Sequence, residues 1–314
     1  MSGRERSGLT VPGGRDHDPL ELPVLRLEGR GAGPRVAILG GVHGDEYEGI
    51  SAAAAIWRAV EPDRLTGSLT IVPTCNLPAV DAGTRSSPVD ERNLARTFPG
   101  APDGTLTERI ADTLSRHIIR ACDFLIDLHS AGQHYAMPLL AGCYAGADDL
   151  GRLCEAAALA FGAPLYWAHP DIAPGRSLSV ALDAGIPNLY VECGGGGRVR
   201  AAHFDAYVTG VQQVLSHLGC LPAMRAPAPP PRLRLRSTGD LDTWLTVTTP
   251  GILLERVGLL DQVRERDLLG TVVDASDGEL LQELRAPFDG VVVMARRTAR
   301  VRPGDGAYMV ALPA

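Results

Sequence analysis

Two short apolar segments of this 314-residue chain each end in side chains that can bind a metal ion. The first, residues 36–39, is followed by His43 and, three residues later, by Glu46. The second, residues 124–128, is followed at once by His129. Imidazoles and carboxylates are suitable zinc ligands, and a catalytic zinc site has three protein ligands and an open position for water. The three side chains therefore predict one zinc site per chain, although a single histidine at a strand end is more often an ordinary core or surface residue.

The elements that must position these side chains follow the order of an α/β fold. The sequence predicts strands at 22–27, 36–39, 68–73, 124–128 and 188–192, and helices at 49–60, 106–121, 148–161, 177–184 and 203–218. Strands and helices that alternate in this way form a parallel sheet, whose ligands gather at the carboxyl ends of its strands. The strand at 188–192 brings Glu192 to that edge and is followed by four glycines. Residues 166–175 are predicted as a loop, and the irregular segment 76–104 is long enough to indicate a functional role.

Composition divides the chain into four parts. Residues 1–21 are polar and rich in Gly and Pro, and are predicted as an N-terminal arm that is either loose or an edge segment. Residues 22–221 form the predicted zinc-dependent catalytic α/β domain. The proline-rich segment 222–231 is a stiff, extended linker. Residues 232–314 consist of short alternating runs separated by Gly, Pro and Asp, which predicts a small C-terminal all-β domain.

Charge and residue usage exclude several classes of function. The net charge of −7 argues against nucleic acid as the main partner, and no apolar stretch approaches the ~20 residues of a membrane span. The chain has no lysine, so all 30 of its cationic side chains are arginine. Schiff-base chemistry, a Walker-type phosphate site and a lipoyl or biotinyl carrier lysine are thereby excluded. Anionic groups of a substrate must instead meet guanidinium, which grips carboxylates through two hydrogen bonds.

The location of the protein is inferred from its cysteines and its first residues. The six cysteines are scattered and form no CxxC pair, so they predict reduced thiols rather than a disulfide framework. The polar N-terminus lacks the apolar core of a signal peptide, which makes the cytoplasm the expected location. The sequence leaves open whether the chain forms a homo-oligomer.

A set of ordered motifs links the chain to a known family. In chain order they are Gly41-Val42-His43-Gly44-Asp45-Glu46, Asn76, Arg85-x-x-Pro88-x-Asp90-x-x-Asn93-Leu94-x-Arg96-x-Phe98-Pro99-Gly100, Asp127-Leu128-His129-Ser130 and Val191-Glu192-x-Gly194. Over residues 22–220 the chain resembles the succinylglutamate desuccinylase/aspartoacylase family, which is related to the zinc carboxypeptidases. The resemblance implies a zinc carboxypeptidase-like mixed sheet flanked by helices. It also implies a zinc-dependent amidohydrolase that cleaves an N-acyl group from a small amino acid or amine-type substrate.

The resemblance also implies roles for two further residues. Glu192 is the expected general base, which takes a proton from water and returns it to the leaving amine. Arg85 is the expected arginine that polarises the substrate carbonyl, because it holds a fixed positive charge where the oxyanion develops. The plainer alternatives are a capping or salt-bridging acid for Glu192 and a solvated loop charge for Arg85.

The expected substrate contacts contain one departure from the family. Arg96 matches the arginine that binds a substrate carboxylate, and Asn76, Asn93 and Arg176 are further candidates. The family usually has Asn between its Leu and Arg, where this chain has Ala95, whose side chain cannot form a hydrogen bond. Either Arg96 holds a carboxylate alone, or the substrate lacks a carboxylate at that position. Weaker candidates in nearby loops are His134, His169 and Asp171.

Two other functions compete with deacylation of a small N-acylated molecule. One alternative is a metallocarboxypeptidase that acts on a peptide C-terminus with the same metal ligands. The added β domain argues against it, because that domain would narrow the entrance to the site so that only small substrates could enter. A noncatalytic binding protein that keeps the fold is disfavoured, because the ligand set is complete and both Glu192 and Arg85 are present.

Overall fold

The computed structural model describes residues 3–14, 17–224, 226–236 and 244–314. Within these residues the strands are β1 Gly3–Val11, β2 Leu20–Glu28, β3 Arg35–Gly40, β4 Ser68–Val72, β5 Phe124–Leu128, β6 Tyr135–Tyr144, β7 Leu165–His169, β8 Asn188–Gly195, β9 Leu233–Arg236, β10 Leu245–Thr246, β11 Gly251–Glu255, β12 Gln262–Val263, β13 Leu268–Val273, β14 Leu280–Arg285, β15 Gly290–Arg296, β16 Arg300–Val301 and β17 Gly306–Pro313. The α-helices are α1 Tyr47–Ala59, α2 Leu77–Ala82, α3 Leu106–His117, α4 Asp149–Phe161, α5 Ser177–Asp183 and α6 Ala201–His217. None of the helices described is both long and apolar enough to span a bilayer.

The parallel part of the large mixed sheet contains β3, which pairs with β4 on one side and β5 on the other. β8 continues the parallel set beyond β5. Val36 and Ile38 of β3 pack into one apolar core, whereas Ala37 and Leu39 pack into a second core on the opposite face. Because both faces are covered, the strand reads as a continuous apolar run rather than an alternating one.

Helices cover both faces of this sheet, as the sequence predicted. α1, α4 and α6 contribute to the first core, and α3 and α5 contribute to the second. α1 packs closely on β5: a Cβ atom added at Gly49 would lie 2.3 Å from the carbonyl oxygen of Leu128. The small residues Ala52 and Ala53 are fully buried on the same helix. The small-residue run therefore lets the helix approach the strands that carry the candidate ligands.

The secondary structure differs from the expectation in several places. β6 Tyr135–Tyr144 was not predicted, and α2 Leu77–Ala82 forms within the segment expected to be irregular. Of the two alternatives for the predicted arm, the edge segment is the one observed, since Gly3–Val11 forms β1, an antiparallel edge strand paired with β2 along its whole length. The prediction of a loop from residue 166 was wrong for its first part, because Leu165–His169 forms β7 between β6 and β9. Its apolar and aromatic residues, Leu165, Tyr166 and Trp167, are buried in the resulting sheet. The other predicted strands and helices of the first 220 residues are present with small shifts at their ends.

The C-terminal strand-rich region is joined to the same sheet. β9 pairs with β7 and with β17, and β15 pairs with both β17 and β6. A second sheet, in the order β14-β13-β11-β16, packs over these strands around a separate apolar core. The predicted fold class, a mixed sheet flanked by helices with a C-terminal strand-rich region, is confirmed. The four domain boundaries drawn from composition remain a prediction.

Candidate active site

The carboxyl ends of β3, β5 and β8 bring the predicted chemical groups to one edge of the sheet. His43 follows the end of β3 and Glu46 immediately precedes α1, while His129 is the first residue after β5. Gly40 pairs with Leu128, and Leu128 pairs with Val191, so the three strand ends lie side by side. Glu192 is the next residue of β8.

His43, Glu46 and His129 converge in a buried cluster. Nδ1 of His43 lies 2.7 Å from Oε1 of Glu46, and Nδ1 of His129 lies 2.9 Å from Oε2. One potential ligand atom from each of the three residues lies within 4.8 Å of the others. Glu46 is 2% exposed and His43 is 3% exposed, so this cluster is shielded from bulk water. The predicted ligand set is thus spatially complete, although its role in binding metal remains a proposal.

The outer nitrogens of both imidazoles face further oxygen acceptors. Nε2 of His43 lies 3.0 Å from Oδ1 of Asn93, and Nε2 of His129 lies 3.2 Å from Oδ2 of Asp127. A neutral imidazole carries only one N–H group, so it cannot donate to oxygens on both sides. When Nε2–H is donated outward, the Nδ1 lone pair is left facing the Glu46 carboxylate. Such outer-shell hydrogen bonds orient metal-binding histidines, and this donor set therefore fits a zinc ion.

The neighbouring backbone and charges fix the cluster further. The backbone N–H of Ser130 donates to Glu46 Oε2 at 3.0 Å, and the Tyr207 hydroxyl donates to the carbonyl oxygen of His129 at 2.6 Å. Burial alone would raise the pKa of Glu46, but the His43 and His129 imidazoles hold it well below its usual range. Glu46 is therefore held as a carboxylate, the form that binds a cation.

The two imidazoles differ in their electrostatic surroundings. Burial, assisted by the positive charge of Arg85, lowers the pKa of His43. Burial also opposes protonation of His129, yet the carboxylates of Asp127 and Glu46 raise its pKa well above the usual range. The negative charge around His129 that favours a proton would equally favour a metal cation.

Glu192 occupies a different environment from Glu46. Its Oε2 atom is inaccessible to solvent and has no hydrogen-bond partner among the residues that the structure describes. Burial, together with the nearby charge of Glu46, raises the pKa of Glu192 to about 8. A carboxyl group with so high a pKa is a stronger base than an ordinary glutamate and suits proton transfer near neutral pH.

One cavity of about 370 Å³ contains the cluster and Glu192. Three arginines, Arg85, Arg96 and Arg176, line it and supply positive charge. Nη1 of Arg85 lies 3.0 Å from Glu46 Oε1, so its guanidinium stands directly beside the ligand cluster. The C-terminal region contributes Trp244 to the wall, and its ring lies 4.8 Å from that of Tyr135.

Of the other residues considered for substrate binding, some line the cavity and one does not. Asn93 lines the cavity, but its Oδ1 atom accepts a 2.9 Å hydrogen bond from the Ala95 N–H as well as facing His43. Asn76 is fully buried and does not belong to the cavity lining in the described part of the chain, so its role as a substrate contact remains a prediction. Ala95 lines the cavity, where the family asparagine would stand.

The weaker loop candidates lie outside the lining of this cavity as described. His134 and Asp171 are exposed. His169 is fully buried, and its Nε2 atom lies 2.8 Å from the Tyr190 hydroxyl. Burial lowers the pKa of His169 to about 3, so its imidazole is neutral.

Several residues that support the site have no role predicted from the sequence. Asp127 orients His129 and in turn accepts a hydrogen bond from the Ser177 hydroxyl. Asp127 could have been identified, because an acidic residue on a fully buried strand requires a partner. No local signal identifies Tyr207 or Trp244, which reach the site from α6 and from the C-terminal region.

The family was tested by comparison with known proteins. The model of the succinylglutamate desuccinylase/aspartoacylase catalytic domain matches residues 32–218. The N-alpha-acetyl-L-2,4-diaminobutyric acid deacetylase of Halomonas elongata is 33% identical over 293 residues, which cover 92% of this chain and 85% of that protein.

Solved structures give the same relationship. A succinylglutamate desuccinylase from Silicibacter sp. TM1040 is 31% identical, with a TM-score of 0.90 over 100% of this chain and 96% of that one. The product-bound ectoine utilization protein EutE (DoeB) from Ruegeria pomeroyi is 30% identical, with a TM-score of 0.89 over 99% and 96% of the two chains. The resemblance seen in the sequence motifs is confirmed, and the chain belongs to the succinylglutamate desuccinylase/aspartoacylase family of deacylases.

Proposed function

We propose that this protein is a zinc-dependent amidohydrolase that removes the acyl group from a small Nα-acylated diamino acid of the acetyl-diaminobutyrate type. The observation that carries the proposal is the convergence of His43, Glu46 and His129 beside Glu192 in one cavity. The Halomonas elongata relative, a deacetylase of N-alpha-acetyl-L-2,4-diaminobutyric acid, supports the choice of substrate.

The zinc ion would be held by His43, Glu46 and His129. The hydrogen bonds made by Nε2 of the two imidazoles leave their Nδ1 lone pairs available to the ion. When bound, it lowers the pKa of water toward about 7 and polarises the scissile carbonyl. Asn93 and Asp127 hold the two imidazoles in the orientation that binding requires.

Glu192 moves the proton in the proposed reaction. Its carboxylate accepts a proton from the attacking water as the new C–O bond forms at the acyl carbon. It then gives that proton to the amine nitrogen as the amide C–N bond breaks. The raised pKa of Glu192 suits both steps, because the carboxyl group takes up and releases a proton near neutral pH.

Arg85 would stabilise negative charge on the acyl oxygen. Its side chain is 41% exposed and lines the cavity, and its guanidinium is held beside Glu46, so its position is set before a substrate arrives. A preorganised positive charge is most effective where charge develops in the transition state. Arg85 is therefore assigned to the reacting carbonyl, and Arg176 is assigned to the α-carboxylate that all substrates of this type share.

The size and the lining of the cavity support a small substrate. A volume of about 370 Å³ lies in the range of small-molecule sites. Trp244 and Met309, both from the C-terminal region, form part of the wall. This wall favours a small N-acylated molecule over the C-terminus of a peptide. Ala95 gives no second hydrogen-bond donor beside Arg96, which disfavours the acidic side chains of acetylaspartate and succinylglutamate.

The test is a substrate panel with the zinc-loaded protein. Amine release is measured from Nα-acetyl-L-2,4-diaminobutyrate, Nα-acetyl-L-aspartate, Nα-succinyl-L-glutamate and a peptide with a free C-terminus. We expect kcat/KM for the first to exceed the others by at least roughly tenfold. A preference for the peptide would instead make the protein a carboxypeptidase. No turnover of any substrate by a protein with full zinc occupancy would favour a noncatalytic binding role.

A further inference from the structure

A second group of potential metal ligands lies behind the catalytic edge of the sheet. It consists of Glu48, Cys193 and His203, one ligand atom of each lying within 4.8 Å of the others. Glu48 is 1% exposed and Cys193 is fully buried, whereas His203 is partly exposed. Successive side chains of a strand point to opposite faces, so Cys193 faces away from the cavity that Glu192 faces. The group is therefore separate from the proposed catalytic site.

The potential ligand atoms of His203 and Glu48 differ in their hydrogen-bond partners. Nδ1 of His203 is buried and has no hydrogen-bond partner in the part of the chain that the structure describes. Oε1 of Glu48 accepts a 3.2 Å hydrogen bond from the backbone N–H of Gly195. A buried imidazole nitrogen is costly to leave without a partner, and pairing or metal coordination is the usual compensation.

A glycine keeps the space between these donors open. A Cβ atom added at Gly194 would lie 2.4 Å from Glu48 Oε1 and 2.7 Å from His203 Nδ1. Gly194 also has a φ angle of +52°, which residues with a side chain rarely adopt. Any side chain at this position would occupy the space that both donors face.

The chemistry of the donors matches a zinc-type ion. Zinc binds thiolate, imidazole and carboxylate together, at about 2.0–2.3 Å, with donors about 3.3–3.8 Å apart in a tetrahedral site. Donors that already lie within 4.8 Å need only a small approach to reach that spacing. Burial lowers the pKa of His203, which keeps its imidazole neutral and able to coordinate. Burial raises the pKa of the Cys193 thiol, so its proton would be released only as the metal–sulfur bond forms.

We propose that Glu48, Cys193 and His203 bind a second divalent transition metal ion, one with zinc-like ligand preferences. The ion would connect α1, which begins directly after Glu46, with β8 and α6, which carry Glu192 and Tyr207. It would have a structural role, because the site lies on the face of β8 opposite the cavity. The proposal does not depend on the substrate of the protein or on its being an enzyme.

Cobalt substitution tests the site through its sulfur ligand. The full-length protein is stripped of metal with a chelator and titrated with Co²⁺ alone. A cobalt ion bound to thiolate gives a charge-transfer absorption band in the near ultraviolet. The cluster of His43, Glu46 and His129 contains no sulfur and cannot produce this band. We expect the band to form in the unaltered protein, to persist in His129→Ala, and to be lost in both Cys193→Ser and His203→Gln.

Cys143→Ser is the matched control, because Cys143 is also fully buried and lies on the neighbouring strand β6. It should keep the band. Metal content gives an independent readout: the zinc-loaded protein should hold about two ions per chain and Cys193→Ser about one. The proposal is overturned if saturation with Co²⁺ gives no thiolate band, or if the band survives in Cys193→Ser. It is equally overturned if folded His203→Gln holds as much zinc as the unaltered protein.

Discussion

Oδ1 of Asn93 lies 3.0 Å from Nε2 of His43, so a residue of the long irregular segment supports a candidate metal ligand. The same oxygen accepts a hydrogen bond from the Ala95 N–H at 2.9 Å, which fixes the orientation of the asparagine side chain. The sequence motif alone suggested that Asn93 contacts the substrate. Its position in the structure gives it a second role, in orienting His43.

The first prediction follows from this contact. Replacing Asn93 with alanine removes the acceptor for His43 Nε2–H and should weaken zinc binding by about 10–100-fold, the usual effect of losing an outer-shell partner. The dissociation constant is measured by competition with a chromophoric chelator. Asn188→Ala serves as the control, since Asn188 is a buried asparagine outside the cavity lining. Unchanged zinc affinity with a raised KM would instead assign Asn93 to the substrate.

The second prediction concerns Glu192 in the metal-free protein. Its pKa is raised to about 8, so the folded state binds its proton more tightly than the unfolded chain does. The stabilisation from this proton is fully present below a pH of about 4 and is lost as the pH rises through about 8. The free energy of unfolding of wild type relative to Glu192→Gln should therefore fall across that interval.

Urea unfolding of the metal-free proteins at a series of pH values measures this difference. Glu279→Gln, which changes an exposed glutamate, should show no comparable slope. A difference between wild type and Glu192→Gln that rises with pH would mean that the pKa of Glu192 is lowered on folding.

The third prediction concerns Ala95. Replacing it with asparagine places an amide beside Arg96 and should raise kcat/KM for Nα-acetyl-L-aspartate by roughly tenfold or more. The reason is that a hydrogen bond to a charged group contributes roughly 1.5–3 kcal/mol. Turnover of Nα-acetyl-L-2,4-diaminobutyrate should stay level or fall.

Ala95→Leu adds a side chain of similar size without hydrogen-bonding groups, and it should not help the acidic substrate. If Ala95→Leu improved acetylaspartate hydrolysis as much as Ala95→Asn, bulk rather than hydrogen bonding would explain the change. A strong preference of the unaltered protein for acetylaspartate would contradict the argument from Ala95 directly.

The parallel core of the fold and the ligand cluster could be predicted from sequence because they depend on local signals. β3, β5 and β8 are apolar runs buried on both faces, and His43, His129 and Glu192 lie at or just beyond the point where each run ends. Parallel pairing then brings the ends together without further information. These residues could therefore be predicted without knowing which distant segments are in contact.

The remaining parts of the site depend on pairing between strands that lie far apart in the sequence, which no local sequence pattern indicates. β6 lies within the sheet but contains Pro138 and a register irregularity between Met137 and Leu140, so it lacks a regular strand pattern. The C-terminal wall exists because Ala295 of β15 pairs with Ala136 of β6, about 160 residues earlier in the chain. Trp244, which directly precedes β10, is placed by the pairing of β10 with β17.

The most direct test of the central claim is zinc reconstitution of the metal-free protein with acetyl-diaminobutyrate as substrate. Amine release from Nα-acetyl-L-2,4-diaminobutyrate is followed as zinc is added to wild type, to Glu192→Gln and to His129→Ala. We expect wild-type activity to appear with zinc. Glu192→Gln should bind zinc at the cluster yet turn over at least ~100-fold more slowly, the scale of general acid–base catalysis. His129→Ala should lose zinc from the cluster and lose activity with it. Full activity of the metal-free protein, or near-normal turnover by zinc-loaded Glu192→Gln, would contradict the account.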